Sequence, residues 1–115
     1  MLTINLLSEA NGLESRIEGS GRGRKRLLEA DGFDVDLYVY NAPGEWNDLH
    51  TCSKDEFFFV VKGKMEVMME GTGRILGENE GILAKAGVKH KHRALSKALV
   101  MVVSKWPHEH RYYSE

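Results

Sequence analysis

The sequence predicts an all-β fold of one domain, built from short strands as a sandwich or a barrel. The chain has 115 residues, close to the commonest domain size, so we expect a single domain over residues 1–115. Its 12 glycines and only 2 prolines separate short apolar runs at intervals typical of turns. Roughly seven such runs in a domain this small are typical of a β-sandwich or a β-barrel.

The strands are predicted from their residue patterns, taken in chain order. In residues 33–40, FDVDLYVY, apolar residues alternate with Asp34 and Asp36, which is the period-two pattern of a half-buried strand. EFFFVV and MEVMME follow, joined by a hairpin turn at residues 62–64, and a second turn is predicted at residues 71–73. ILAKA, HKHRAL and ALVMVVS are further short strands. A short helix is expected only in the first ten residues or in residues 24–30.

Residues 57–61 are apolar at every position, which is unusual for a strand with one face in water. One face of this strand must pack on the interior of the domain. The other face must be covered by a second sheet or by another subunit. We therefore expect a homodimer, the commonest arrangement that buries such a face.

The charge of the chain is balanced, with 16 Lys and Arg against 17 Asp and Glu. Composition therefore gives no reason to expect a nucleic acid or a membrane as partner, and a small-molecule ligand is the expectation. A basic stretch at residues 22–26 has two interpretations, a nucleic-acid arm or a solvated loop that meets an anionic ligand, and we favour the loop. A start without a signal-peptide pattern and a lone free cysteine, Cys52, favour the cytoplasm.

Three metal-binding residue types share one face of a predicted strand. His50 and Cys52 are two residues apart and Glu56 has the same parity, so imidazole, thiol and carboxylate can converge on one interior. Such a set suits zinc, iron, nickel or copper. His90 is a further ligand candidate, and His92 is either a ligand or a wall of the pocket.

The spacing from Gly44 to Gly63, with His50, Cys52 and Glu56 between them, resembles the first conserved motif of the cupin superfamily, which has a second histidine where Cys52 stands. Residues 85–90, KAGVKH, resemble part of the second motif. Lys85 stands where that motif has proline, Asn79 where it has glycine and Ala94 where it has asparagine. The resemblance covers about residues 33–103 and identifies the chain as similar to a small single-domain cupin.

The resemblance implies a small jelly-roll β-barrel, commonly dimeric, with a divalent metal ion inside: iron, manganese, nickel or zinc. By position it implies His50, Glu56 and His90 as ligands, with Cys52 in the place of the other histidine. Cys52 is either a ligand, which favours zinc or copper(I), or a buried bystander, which leaves a set suited to ferrous iron.

Two functions follow from this resemblance. One is a metal-dependent enzyme of the dioxygenase or isomerase type that acts on a small molecule. The other is a non-catalytic cupin that binds or senses a small molecule. His108 and His110, near the C-terminus, are interpreted as exposed tail residues outside either site.

Overall fold

The structure is a computed structural model that describes residues 1–17, 19 and 21–114, and these residues form one α-helix and ten β-strands. The helix is α1 (Leu6–Glu14), which begins at the capping residue Asn5. The strands are β1 (Arg22–Ala30), β2 (Phe33–Tyr40), β3 (His50–Cys52), β4 (Glu56–Lys62), β5 (Met65–Met69), β6 (Thr72–Leu76), β7 (Gly81–Ala84), β8 (His90–Ala94), β9 (Ala98–Lys105) and β10 (His110–Tyr112).

The strands form two antiparallel sheets of five strands each. The first sheet has the order β1-β2-β9-β4-β7, and the second has the order β10-β3-β8-β5-β6. They pack face to face around one apolar core, to which Phe58 and Val100 of the first sheet and Met65 and Val67 of the second contribute. This confirms the all-β prediction and fits a small jelly-roll. The two sheets are not closed into a barrel.

Strand β2 has the bounds that the alternating pattern predicts, but the prediction that only one of its faces is buried was wrong. Asp34 and Asp36 point between the two sheets and are 1% and 6% exposed. They tolerate burial because cations lie beside them: Arg24 pairs with Asp36, and Arg26 pairs with both aspartates. The acidic face of this strand therefore belongs to the interior of the molecule.

The basic stretch at residues 22–26 was predicted to be a loop. In the structure it is the first half of β1. It pairs with β2 in a register that joins Arg22 to Tyr40 and Arg26 to Asp36. The buried carboxylates on β2 attract these arginines into the sheet, which the sequence pattern of β1 alone does not indicate. Ser20, two residues before this stretch, lies outside the described residues.

Of the two predicted hairpins, only the second is present; the turn predicted at residues 62–64 exists, but β4 and β5 lie in different sheets, so it connects the two sheets instead of forming a hairpin. Gly63 joins β4 to β5 with a φ of 82°. The second turn lies slightly earlier than predicted, at Glu70 and Gly71, which have φ values of 49° and 80°. Positive φ at both central residues is the geometry of a type I′ turn, whose twist matches that of the adjoining strands.

Helix α1 covers part of the outer face of the first sheet. Ala10 and Leu13 pack there against Leu37, Val39 and Leu99. This confirms the first of the two helix positions that the sequence allowed. Over the described ranges, no helix has the length and apolar character needed to cross a membrane.

Candidate metal centre

A cavity of about 620 Å³ lies between the two sheets. The first sheet contributes Arg22, Arg24, Asp36, Tyr38 and Glu56 to its wall, and the second contributes His50, His92, His110 and Tyr112. Its volume is within the range of roughly 300–1,000 Å³ that is usual for small-molecule sites. Polar and aromatic side chains therefore surround a space large enough for a small molecule.

His50 and His90 lie opposite each other on neighbouring strands of the second sheet. They are directly paired in the β3–β8 register, and their ring centroids are 4.3 Å apart. The Nδ1 atom of His50 is 2.8 Å from the carbonyl oxygen of Asp48, and that of His90 is 2.9 Å from the carbonyl oxygen of Val88. A carbonyl can only accept, so each Nδ1 carries the proton and each Nε2 keeps a free lone pair.

Glu56, at the start of β4, brings a carboxylate from the first sheet to these imidazoles. Its Oε2 accepts a hydrogen bond of 3.0 Å from the Ser104 hydroxyl, while its Oε1 lies 3.5 Å from His90 Nε2. Among the described residues, neither Oε1 nor His90 Nε2 has a hydrogen-bond partner, although both are buried. Burial raises the pKa of Glu56, but its polar surroundings, with the donating Ser104 hydroxyl among them, outweigh burial and lower the pKa to about 2.

The free donors fit a metal ion. Two buried atoms without partners, a carboxylate oxygen and an imidazole nitrogen, face each other at a distance that one ion can bridge. The protonated Nδ1 atoms fix the ring orientations in the way that carbonyl partners orient histidine ligands in metal sites. Burial also lowers the pKa of His50, which favours the neutral form that a metal requires.

His110 is the residue that the sequence interpretation missed, because it was assigned to an exposed tail. It begins β10, which pairs with β3 so that His110 lies opposite Cys52 and Tyr112 opposite His50. Its Nε2 is 3.5 Å from Glu56 Oε2, and one ligand atom from each of His50, Glu56 and His110 lie within 4.8 Å of one another. The alternation of His108, His110 and Tyr112 is a period-two strand signal that could have revealed it.

Cys52 and His108 lie beside this group. Cys52 is 2% exposed, and burial raises the pKa of its thiol, as does the nearby Glu56 carboxylate. His108 is not an exposed tail residue, because its side chain is 11% exposed and its Nε2 lies 3.3 Å from Asp34 Oδ2, whereas His110 is exposed as the sequence predicts. Cys52, His108 and His110 each have one potential ligand atom, and these three atoms lie within 4.8 Å of one another. Cys52 is therefore close to the two C-terminal histidines.

His92 faces the cavity as part of its wall. Its Nε2 is 3.2 Å from the hydroxyl of Tyr40, and its ring packs near Phe58. Burial lowers the pKa of His92 to about 3 and raises that of Tyr40 to about 12, so both side chains are neutral at ordinary pH. The hydroxyl can therefore donate to the neutral imidazole.

Two residues of the second-motif region have left-handed backbone conformations. Asn79, which stands where the motif has glycine, has a φ of 64°, in the left-handed region that asparagine adopts more readily than most residues. Gly87 is retained in the loop before β8 and has a φ of 81°. His90, which begins β8, is paired with His50.

A family model described as a cupin domain matches residues 37–112 of the chain. No curated protein matches the chain in sequence. Among solved structures, KdgF from Halomonas sp. is similar, with a TM-score of 0.62 and 23% identity over 78% of this chain and 83% of that one.

Two further solved structures have the same fold. Salicylate 1,2-dioxygenase from Pseudoaminobacter salicylatoxidans, in adducts with gentisate, has a TM-score of 0.74 and 15% identity over 96% of this chain and 35% of that one. The DMSP lyase DddQ from Ruegeria pomeroyi has a TM-score of 0.67 and 20% identity over 76% of this chain and 48% of that one. The chain spans about a third of the dioxygenase and about half of the lyase. At these identities the likeness concerns the fold.

Proposed function

The chain belongs to the cupin family, and on this premise we propose that it is a metal-dependent enzyme, of the dioxygenase or isomerase type, that acts on a small molecule. His50, Glu56 and His90 would hold the metal ion, and the small molecule would occupy the adjacent cavity. Solved structures of this fold include a dioxygenase and a lyase by name, so the fold hosts more than one reaction and does not select among them.

One observation carries the proposal. Glu56 Oε1 and His90 Nε2 are buried, face each other at 3.5 Å, and have no hydrogen-bond partner in the part of the chain that the structure describes. Leaving two such atoms unsatisfied costs roughly 1–3 kcal/mol each, a cost that a bound cation would remove. Two histidines and one carboxylate with open positions are a donor set suited to ferrous iron, and zinc, manganese and nickel also accept it.

A metal ion bound there would supply Lewis acidity or oxygen activation. The chain's own residues have other tasks. Ser104 holds the Glu56 carboxylate, while the backbone carbonyls of Asp48 and Val88 hold the rings of His50 and His90. Phe58 and Val102 line the cavity on the side of the apolar core and exclude water there.

The charges at the cavity favour a ligand with an anionic group. Arg24 is neutralised by Asp36, whereas among the described residues no carboxylate lies within ion-pair distance of Arg22. Arg22 lines the cavity and lies beside the Tyr40 hydroxyl. A carboxylate on the small molecule could therefore form an ion pair with the guanidinium of Arg22 at the cavity wall.

Metal analysis of protein purified without oxygen tests the proposal. Glu56→Gln keeps the shape of the side chain but removes its charge, so we expect the variant to lose most of the metal that the wild type retains after dialysis against a weak chelator. Glu66→Gln is the matched control, because Glu66 pairs with Arg93 on the other side of the second sheet and should not affect metal content. Full retention of metal by both Glu56→Gln and His90→Ala would refute the ligand assignment.

The second candidate is a cupin that binds a small molecule without converting it. Cys52 in the place of a histidine and the altered second motif favour this function. The same metal analysis separates the two, because the enzyme requires a stoichiometric ion. A wild-type protein that contains no ion, but is stabilised against thermal unfolding by small carboxylates, would support the binding protein.

A further inference from the structure

We propose that the chain has a second cation site, formed by Cys52, His108 and His110, which takes a soft or borderline ion such as zinc or copper(I). We refer to these three residues as the thiolate site. It lies beside His50, Glu56 and His90 and is distinct from them in its ligands. It does not depend on the proposed enzymatic function.

The backbone brings the three residues together at the edge of the second sheet. Strand β10 pairs with β3 so that His110 is directly opposite Cys52, and paired residues of neighbouring strands project to the same face. His108 precedes β10 by two residues, and its ring centroid is 5.1 Å from that of His110. One ligand atom from each of the three lie within 4.8 Å of one another, a spacing that one ion can span.

The orientation of His108 points independently to a ligand. Its Nε2 lies 3.3 Å from Oδ2 of Asp34, whose side chain is 2% exposed, so the N–H of Nε2 faces a buried carboxylate. That tautomer leaves Nδ1 with a lone pair, and within the described part of the chain this buried Nδ1 has no hydrogen-bond partner. A carboxylate that orients an imidazole and leaves its other nitrogen free is the arrangement found behind histidine ligands of zinc.

The donor set determines the class of ion. One sulfur and two imidazole nitrogens match zinc and copper(I), which accept thiolate readily, and fit magnesium and calcium poorly because those ions prefer oxygen ligands. The Cys52 thiol would lose its proton to solvent as the metal–sulfur bond forms. Three protein ligands leave a fourth position open to water or to a small molecule.

His110 connects the two sites. It also lies within 4.8 Å of the ligand atoms of His50 and Glu56, so it belongs to both groups by distance. If His110 binds an ion at the thiolate site, His50, Glu56 and His90 remain for the first site. The two sites can then be tested separately, through Cys52 and His108 for one and through Glu56 for the other.

Cobalt(II) titration of the full chain tests the proposal, since cobalt bound to a thiolate has a sulfur-to-metal charge-transfer band in the near ultraviolet. Because the first site also accepts divalent ions, we expect this band to be complete with two equivalents of cobalt and to be displaced by zinc. Cys52 is the only cysteine, so the band can arise only from it, and Cys52→Ser should abolish it. His108→Ala should weaken zinc binding at least tenfold, and Asp34→Asn should weaken it by roughly 10–100-fold.

Glu56→Gln serves to distinguish this site from the first one. It should keep the cobalt–thiolate band even though it loses the ion proposed for the first site. Absence of the band in the wild type at two equivalents of cobalt would overturn the proposal, as would an unchanged zinc affinity in a folded His108→Ala variant. Loss of the band in Glu56→Gln would show instead that Cys52 serves the first site.

Discussion

At the scale of single residues, the interior between the sheets is unusually polar for so small a protein. Asp34, Glu56, His90 and His92 are all buried there. Asp34 lies beside Arg26, and His92 lies beside the Tyr40 hydroxyl, although Asp34 Oδ1 and His92 Nδ1 have no hydrogen-bond partner among the described residues. This arrangement makes the protonation of buried histidines a determinant of stability.

His92 provides a test of that relation in the metal-free chain. Its ordinary pKa of 6.5 applies in the unfolded chain, whereas burial lowers the pKa to about 3 in the folded protein. As the pH falls below 6.5, the unfolded chain takes up a proton that the folded protein does not, so the free energy of unfolding must fall. His92→Gln cannot take up this proton, and we expect its stability to fall less than that of the wild type over this range.

Urea unfolding in the presence of a chelator, at several pH values from 8 down to about 5, measures this difference. Above pH 7 the two curves should run parallel, since both forms of the wild type are then neutral at His92. Parallel curves below pH 6.5 as well would contradict the assignment of a lowered pKa to His92.

At the scale of elements, two segments that look like loops in the sequence are edge strands, and both supply cavity residues. β1 carries Arg22 and Arg24 to one side of the cavity, and β10 carries His110 to the other. The turns between the central strands are constrained more tightly than these edges. Gly63 is the clearest case, because its φ is 82° and a Cβ added there would lie 2.1 Å from the carbonyl oxygen of Lys97.

Gly63→Ala should therefore destabilise the protein strongly. A left-handed alanine costs roughly 1–2 kcal/mol, and displacement of the Lys97 backbone adds to that cost. Gly71→Ala is the matched control, since Gly71 has a φ of 80° but a Cβ there would meet open space. Chemical unfolding should show Gly63→Ala to be less stable than Gly71→Ala by at least about 2 kcal/mol. Equal losses would mean that the backbone clash is relieved at no cost.

At the scale of the whole molecule, the outer face of the first sheet is covered over only part of its area. Helix α1 packs on Leu37, Val39 and Leu99, while Phe57 and Leu83 remain 39% and 47% exposed. These two residues are directly paired across β4 and β7, so they form a continuous apolar patch. We propose that a second copy of the chain covers this patch in a homodimer.

Sedimentation equilibrium tests the dimer. The wild type should sediment as a dimer at tens of micromolar on the usual scale of such interfaces, and Leu83→Lys should shift it towards the monomer without loss of β-structure by circular dichroism. Ile75→Lys is the control, because Ile75 is 63% exposed on β6 of the other sheet and should leave association unchanged. A wild type that stays monomeric at higher concentration, or a dimer unaffected by Leu83→Lys, would contradict the proposed interface.

The sequence by itself determined the class of fold, the hairpin between β5 and β6 and the position of the central strands. Their signals are local: alternation within β2, the glycine in the turn between β4 and β5, and the spacing of two residues that puts His50 and Cys52 on one face of β3. Glu56, predicted on the same strand, instead begins β4 in the opposite sheet. Hence an all-β sandwich or barrel could be predicted from the residue patterns, and the jelly-roll from the resemblance to cupins.

Tertiary structure alone decided which residues meet in the interior. Asp34 and Asp36 resemble solvent-facing residues in sequence, but they are buried because arginines from β1 and a histidine near the C-terminus lie against them. His110 comes to Glu56 because β10 pairs with β3, although the two residues are far apart in the chain. Which strands pair depends on the energetics of the assembled sheets. The periodicity of a single segment can predict a strand, but it cannot predict the partner of that strand.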